Sequence, residues 1–130
     1  MTPTREFRVA WFPSDFERSV AFYRDALELP VRGSWDRGPG DRGMLFAAGP
    51  GSIELLAGRP ASIPPRGVWI YVEVDDVDAW HARATGRGVP IAHALEDTPW
   101  GHRRFHVVDP DGVEVGFFSQ RAAPGGSGVS

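Results

Sequence analysis

Arg8-Val9-Ala10-Trp11 followed by Ser14-Asp15-Phe16-Glu17, and again Trp69-Ile70-Tyr71-Val72 followed by Asp75-Asp76-Val77-Asp78, are the stretches that decide the fold. The first member of each pair holds β-branched and aromatic residues and reads as a short strand. The second member opens a helix, because its side-chain oxygens can accept from the N–H groups that the first turn leaves without partners. The two pairs are sixty-one residues apart, strand from strand and helix from helix. Leu29-Pro30-Val31 returns as Val89-Pro90-Ile91 sixty residues on, and Ile53-Glu54-Leu55 as Val115-Gly116-Phe117 sixty-two residues on. A near-constant offset at four landmarks predicts two copies of one supersecondary unit.

Each copy has legible parts. In the first, Ser14 and Glu17 have the spacing of a capping box, and Phe16, Val20, Tyr23 and Leu27 follow at helical spacing. Short strands are expected at 31–35, 44–47 and 52–56, with glycine-rich turns between them. In the second copy a helix starts at Asp75 or Asp76, buries Val77, Trp80 and Ala84, and ends at Gly86 and Gly88. Strands are expected there at 91–95, 103–108 and 114–119, with a turn at Asp109-Pro110-Asp111-Gly112. Each copy is therefore βαβββ, and the fold class is α+β: two modules with curved mixed sheets forming a cleft. A single domain spans 1–121, with module 1 at about 6–59, a proline-bearing linker at 60–66 and module 2 at about 67–120. Residues 122–130 read as a mobile tail.

Composition narrows the function. The 42% hydrophobic and 24% charged residues are those of an ordinary globular domain. Net charge is -3 with acids and bases interleaved, so no basic block exists to neutralise phosphates and no nucleic acid partner is expected. The absence of cysteine excludes disulfides, thiolate metal sites and thiol nucleophiles. No apolar run reaches membrane length and the first six residues carry no signal core, so no membrane partner and a cytoplasmic location are expected. Trp11, Trp35, Trp69, Trp80 and Trp100 are more tryptophans than one small core calls for, which predicts that some line a ligand surface.

Three motifs stand in order: Asp15-x-x-x-Ser19-x-Ala21-Phe22-Tyr23, then Val74-Asp75-Asp76-Val77-Asp78-Ala79, then Asp109-Pro110-Asp111-Gly112. With the paired unit they resemble the vicinal oxygen chelate superfamily of glyoxalases, bleomycin-resistance proteins and dioxygenases. Pro99-Trp100-Gly101 ahead of Arg104-Phe105 is similar to the bleomycin-resistance branch. In metal-dependent relatives the first and last strands of each half supply the ligands. The resemblance puts those positions at Arg8, Glu54, Trp69 and Gly116. A guanidinium keeps its proton, and indole and glycine offer no side-chain ligand, so only Glu54 suits a metal. A site needing about three protein ligands is unsupported there, so no tightly bound divalent ion is expected at those positions, and no metal or cofactor is expected in the chain. Elsewhere, His102 and His106 on one strand stand about 13 Å apart. His81 lies on a helix and His93 on another strand, so each histidine reads as a solitary solvated or hydrogen-bonded residue.

Strand alternation puts Arg8, Ala10, Phe12, Glu54, Leu56, Trp69, Tyr71, Arg104, His106, Glu114, Gly116 and Phe118 on the concave side. Trp69 beside the missing side chain of Gly116 reads as a slot for a flat ligand. Arg8 with Glu54, Tyr71, Arg104, His106 and Phe118 surround and orient it, and Trp35 and Trp100 join from nearby loops. A plainer reading stays open, in which Trp69, Tyr71 and Phe118 close a degenerate cavity and Arg8–Glu54 is a structural ion pair. Trp80 and Trp11 are assigned to helix-facing packing. The leading function is a metal-independent, non-catalytic binding protein for a planar aromatic compound, with a carboxylate or phenolate favoured by Arg8 and Arg104. The resemblance implies an antibiotic, sequestered in drug resistance or carried during synthesis, and a symmetric homodimer. The alternative is a metal-independent isomerase, lyase or hydrolase using Glu54 or His106 as general base.

Overall fold

The repeat becomes eight strands and two helices in the computed structural model of the chain, which describes residues 3–58 and 65–121. Most of the expected linker (60–64) and the whole expected tail (122–130) lie outside the described residues. The chain divides into two units, Met1–Pro65 and Arg66–Ser130. Unit 1 holds β1 (Arg8–Trp11), α1 (Phe16–Ala21) with a π-helical turn (Phe22–Ala26), β2 (Val31–Asp36), β3 (Arg42–Ala48) and β4 (Gly51–Ala57). Unit 2 holds β5 (Trp69–Glu73), α2 (Val77–Gly86), β6 (Ile91–Asp97), β7 (His102–Val108) and β8 (Glu114–Gln120). Each sheet is four-stranded and mixed, in the orders β1-β4-β3-β2 and β5-β8-β7-β6. The parallel pairs are β1 with β4 and β5 with β8; the other neighbours run antiparallel. This is the expected α+β fold of two βαβββ units.

Helix ends show how local chemistry sets the repeat. Asp15, rather than the expected Ser14, caps α1: its Oδ1 accepts from the Arg18 N–H at 3.1 Å. A carboxylate is as good a cap as a hydroxyl, and Asp15 is one residue nearer the first turn. After Ala21 the helix widens, with the Leu27 N–H donating to the Phe22 carbonyl at 3.0 Å, a five-residue span that marks a π turn. Val20, Tyr23 and Leu27 are buried as expected, together with Ser19. In unit 2 Asp76 caps α2 by accepting from the Ala79 N–H at 3.1 Å. The chain leaves α2 through Gly88 at φ 69°, and the repeat puts Glu28 at the matching position with φ 56°. That left-handed conformation costs glycine nothing but costs a residue with a Cβ about 1–2 kcal/mol, so only the second copy ends its helix without strain.

Each sheet packs one face on its own helix. In unit 1 that core contains Trp11, Tyr23, Phe46, Ile53 and Leu55, with Tyr23 edge-on to Trp11 at 6.1 Å. In unit 2 Val72, Phe105, Val115 and Phe117 lie toward α2, and Trp80 stacks on Phe117 at 4.8 Å. Trp80 is only partly buried, because Arg83 rather than protein interior covers it, 4.3 Å from the ring. Alternation leaves Trp69, Tyr71, Arg104, His106, Glu114, Gly116 and Phe118 on the opposite face, where the candidate site is built.

The turn between β7 and β8 fixes their register. Asp109 is buried, and its Oδ1 accepts from the Asp111 and Val113 N–H groups, each at 2.9 Å. Gly112 takes φ 88° to close the turn. Asp109→Ala leaves two backbone donors short of an acceptor and is expected to lower unfolding stability by about 1–2 kcal/mol, read by urea denaturation. An unchanged midpoint contradicts this assignment.

Candidate ligand site in the second unit

A cavity of about 350 Å³ opens among Tyr71, Trp100, His102, Arg104 and Phe118, all in unit 2. Its floor follows from register. Arg104 on β7 pairs with Phe118 on β8, and Tyr71 on β5 pairs with Gly116, two residues back along β8. His102 precedes Arg104 by two and so shares its face, stacking on Phe118 at 4.3 Å and 21°. Tyr71 meets Phe118 edge-on at 6.2 Å. Trp100, 45% exposed, comes from the β6–β7 turn. That turn is tied by the Thr98 N–H donating to the His102 carbonyl at 2.7 Å and the His102 N–H donating to Thr98 Oγ1 at 3.0 Å. The volume suits a small organic ligand, and the walls are mainly aromatic.

Some polar atoms of this wall have no partner. Arg104 Nη2 pairs with Glu96 Oε1 at 3.0 Å, but its Nε and Nη1 are buried without a partner, as is His102 Nε2. A buried N–H with no acceptor costs about 1–3 kcal/mol, more when charged, so the two Arg104 donors carry an unmet hydrogen-bonding cost. Burial also pushes the Tyr71 phenol above its ordinary value, against the lowering effect of Arg104, which keeps its hydroxyl protonated.

Beside the cavity lies a second cluster. His106 is fully buried, and its Nδ1 lies 3.0 Å from Glu114 Oε1. His93 Nε2 lies 3.4 Å from the same oxygen, and the two imidazoles are 4.4 Å apart. Trp69, 52% exposed, meets both rings edge-on, at 5.5 Å from His93 and 4.9 Å from His106. Burial lowers the His106 pKa and so favours its neutral ring, the Glu114 hydrogen bond opposing and His93 and Arg104 adding to the effect.

The expected residues are thus sorted. Tyr71, Trp100, Arg104 and Phe118 line the cavity; Trp69 and His106 belong to the neighbouring cluster. The slot expected at Gly116 is filled from within: a Cβ there stands 2.6 Å from the Tyr71 ring and 3.0 Å from His106 Cδ2. In unit 1 Arg8 Nη1 donates to Glu54 Oε2 at 3.1 Å and Nε to Glu6 at 2.6 Å, an ion-paired group. Trp35 lies over Gly43, donates to Asp41 Oδ1 at 3.2 Å and borders a separate mixed pocket with Phe12 and Leu56. The sequence reading missed His102, whose i, i+2 relation to Arg104 was the available signal, and treated His93 and His106 as solitary.

The residues at the four positions that the resemblance assigns to metal ligands do not fit a metal. Arg8 donates to one oxygen of Glu54, Trp69 offers no ligand, and the Tyr71 ring fills the space where a Gly116 side chain would reach. A model of the Glyoxalase/Bleomycin resistance protein/Dioxygenase superfamily matches residues 7–117. The chain belongs to this superfamily. TnmS3, an antibiotic binding protein from Streptomyces sp. CB03234, is 28% identical with a TM-score of 0.75, the alignment covering 92% of this chain and 98% of that one. A glyoxalase/bleomycin resistance protein from the same organism is 29% identical with a TM-score of 0.70, covering 86% and 97%. An uncharacterized protein of Mycobacterium bovis is 43% identical over 53 residues, 41% of this chain; the match spans 35% of that relative's length. Among the described residues of this superfamily member, no helix is long and apolar enough to cross a membrane, which says nothing of β-barrels.

Proposed function

We propose that the protein binds a planar aromatic small molecule bearing an acidic oxygen, a carboxylate or phenolate, in the Tyr71–Trp100–His102–Arg104–Phe118 cavity. The observation that carries this reading is the buried, unpartnered Nε and Nη1 of Arg104 in an aromatic wall. Aromatic rings supply stacking area, and a buried guanidinium N–H donates a charge-assisted hydrogen bond to an acidic oxygen. The likeness to an antibiotic binding protein supports an antibiotic as the compound, held for sequestration or carriage and acting without metal at the superfamily positions. The reading extends to a symmetric homodimer in the cytoplasm.

Titration of tryptophan fluorescence with an anthracene carboxylate and its neutral carboxamide tests the proposal. Saturable quenching is expected for both, tighter for the acid. Trp100→Ala is expected to weaken both about three- to tenfold, since stacking contributes about 0.5–1.5 kcal/mol beyond area burial. Trp80→Leu, on the helix side of the sheet, is expected to lower thermal stability and leave affinity within about twofold. Absence of saturable binding across a panel of planar acids sinks the reading.

A further inference from the structure

We propose that His93, His106 and Glu114 form a binding site for a divalent transition-metal ion of the zinc type, inside unit 2 and apart from the four superfamily positions. One ligand atom from each residue lies within 4.8 Å of the others. Four ligands held 2.0–2.1 Å from a tetrahedral zinc stand roughly 3.3–3.4 Å from each other. Two of the three edges are close to that value already, at 3.0 and 3.4 Å, and the third is no longer than 4.8 Å. Two imidazoles and one carboxylate leave a fourth position open and select zinc, cobalt, nickel or iron over calcium and magnesium.

A further observation points the same way: the fold does not need this cluster. The repeat puts Gly33, Leu45 and Ser52 at the matching positions of unit 1, and the same bulge occurs there, between Val31 and Gly33 as between Ile91 and His93.

The site requires no aromatic compound, so its test is run without one and leaves the ligand reading untouched. Protein dialysed against EDTA is titrated with Zn²⁺ by calorimetry and with Co²⁺ by visible absorption, with tryptophan emission as a second signal because Trp69 touches both imidazoles. One equivalent per chain is expected, with the cobalt bands of mixed nitrogen and oxygen ligation and quenched emission. Glu114→Gln and His93→Ala are expected to weaken binding at least about a hundredfold, since even outer-shell changes cost 10–100-fold. Both residues are partly exposed, so these variants keep the proposal testable if His106→Ala fails to fold. His81→Ala, whose ring packs on Phe105, is expected to bind as the parent does. No one-equivalent binding, or binding that Glu114→Gln and His93→Ala both retain, overturns the proposal and leaves a hydrogen-bonded His–Glu–His network only.

Discussion

Arg104→Met is expected to weaken an anthracene carboxylate about a hundredfold while leaving the neutral carboxamide within about threefold. Arg104 Nε and Nη1 are buried and unpartnered, and its side chain is only 14% exposed. Hydrogen bonds to charged groups contribute about 1.5–3 kcal/mol each. One at the upper end gives about 3 kcal/mol, somewhat more than a hundredfold in affinity. Methionine keeps an unbranched apolar stem against Phe118 and removes only the charge-assisted bonds. The lost partner, Glu96, is well exposed, so the surrendered ion pair costs little. Because the variant also removes a desolvated guanidinium, its thermal midpoint is expected to hold or rise, a stability gained where binding is lost. Fluorescence titration of both compounds decides the matter. Equal weakening of acid and amide assigns Arg104 to wall packing, and equal affinity of the parent for both removes the acidic oxygen from the proposal.

How far the sequence carried this reading depends on the kind of feature. The two βαβββ units were legible because they rest on local chemistry repeated at one offset: strand residues, a capping carboxylate, a proline after the helix. Strand positions hold to within two residues throughout. Tyr71, Arg104 and Phe118 were legible because simple alternation puts them on one face. The His93–His106 pair was not. A regular register continued from Ile91↔Val107 sets His93 against Phe105; a bulge moves it to His106, and a second shift follows before Glu96↔Arg104. Bulges add a residue to one strand without a residue type that announces them, so a cluster built across one is hidden from spacing arguments. The Gly116 slot failed for a related reason. Alternation says which face a missing side chain lies on, but not which neighbour leans into the gap. Here it is Tyr71, whose ring the parallel β5–β8 pairing sets beside Gly116.

Gly116→Leu therefore makes a sharper test than a simple blockade of empty space. Its backbone is extended and Gly116 is not among the positive-φ residues, so leucine meets no backbone strain. The obstacle is the Tyr71 ring, 2.6 Å from the new Cβ, with His106 Cδ2 behind it at 3.0 Å. His106 is fully buried and held by Glu114, so it cannot yield; Tyr71 is 46% exposed and can swing outward. Overpacking of this kind costs about 1–3 kcal/mol. Here the cost falls on the cavity, because the side chain that moves is one of its walls. Affinity for the aromatic compounds is expected to fall about ten- to a hundredfold, acid and amide alike, which separates this variant from Arg104→Met. The double variant checks the mechanism. With Tyr71→Ala already in place the leucine fills the space the ring has left, so Gly116→Leu adds little further loss, and the two effects are strongly non-additive. Losses that simply add place the ligand against Gly116 itself, and an unchanged affinity in Gly116→Leu removes Tyr71 from the site.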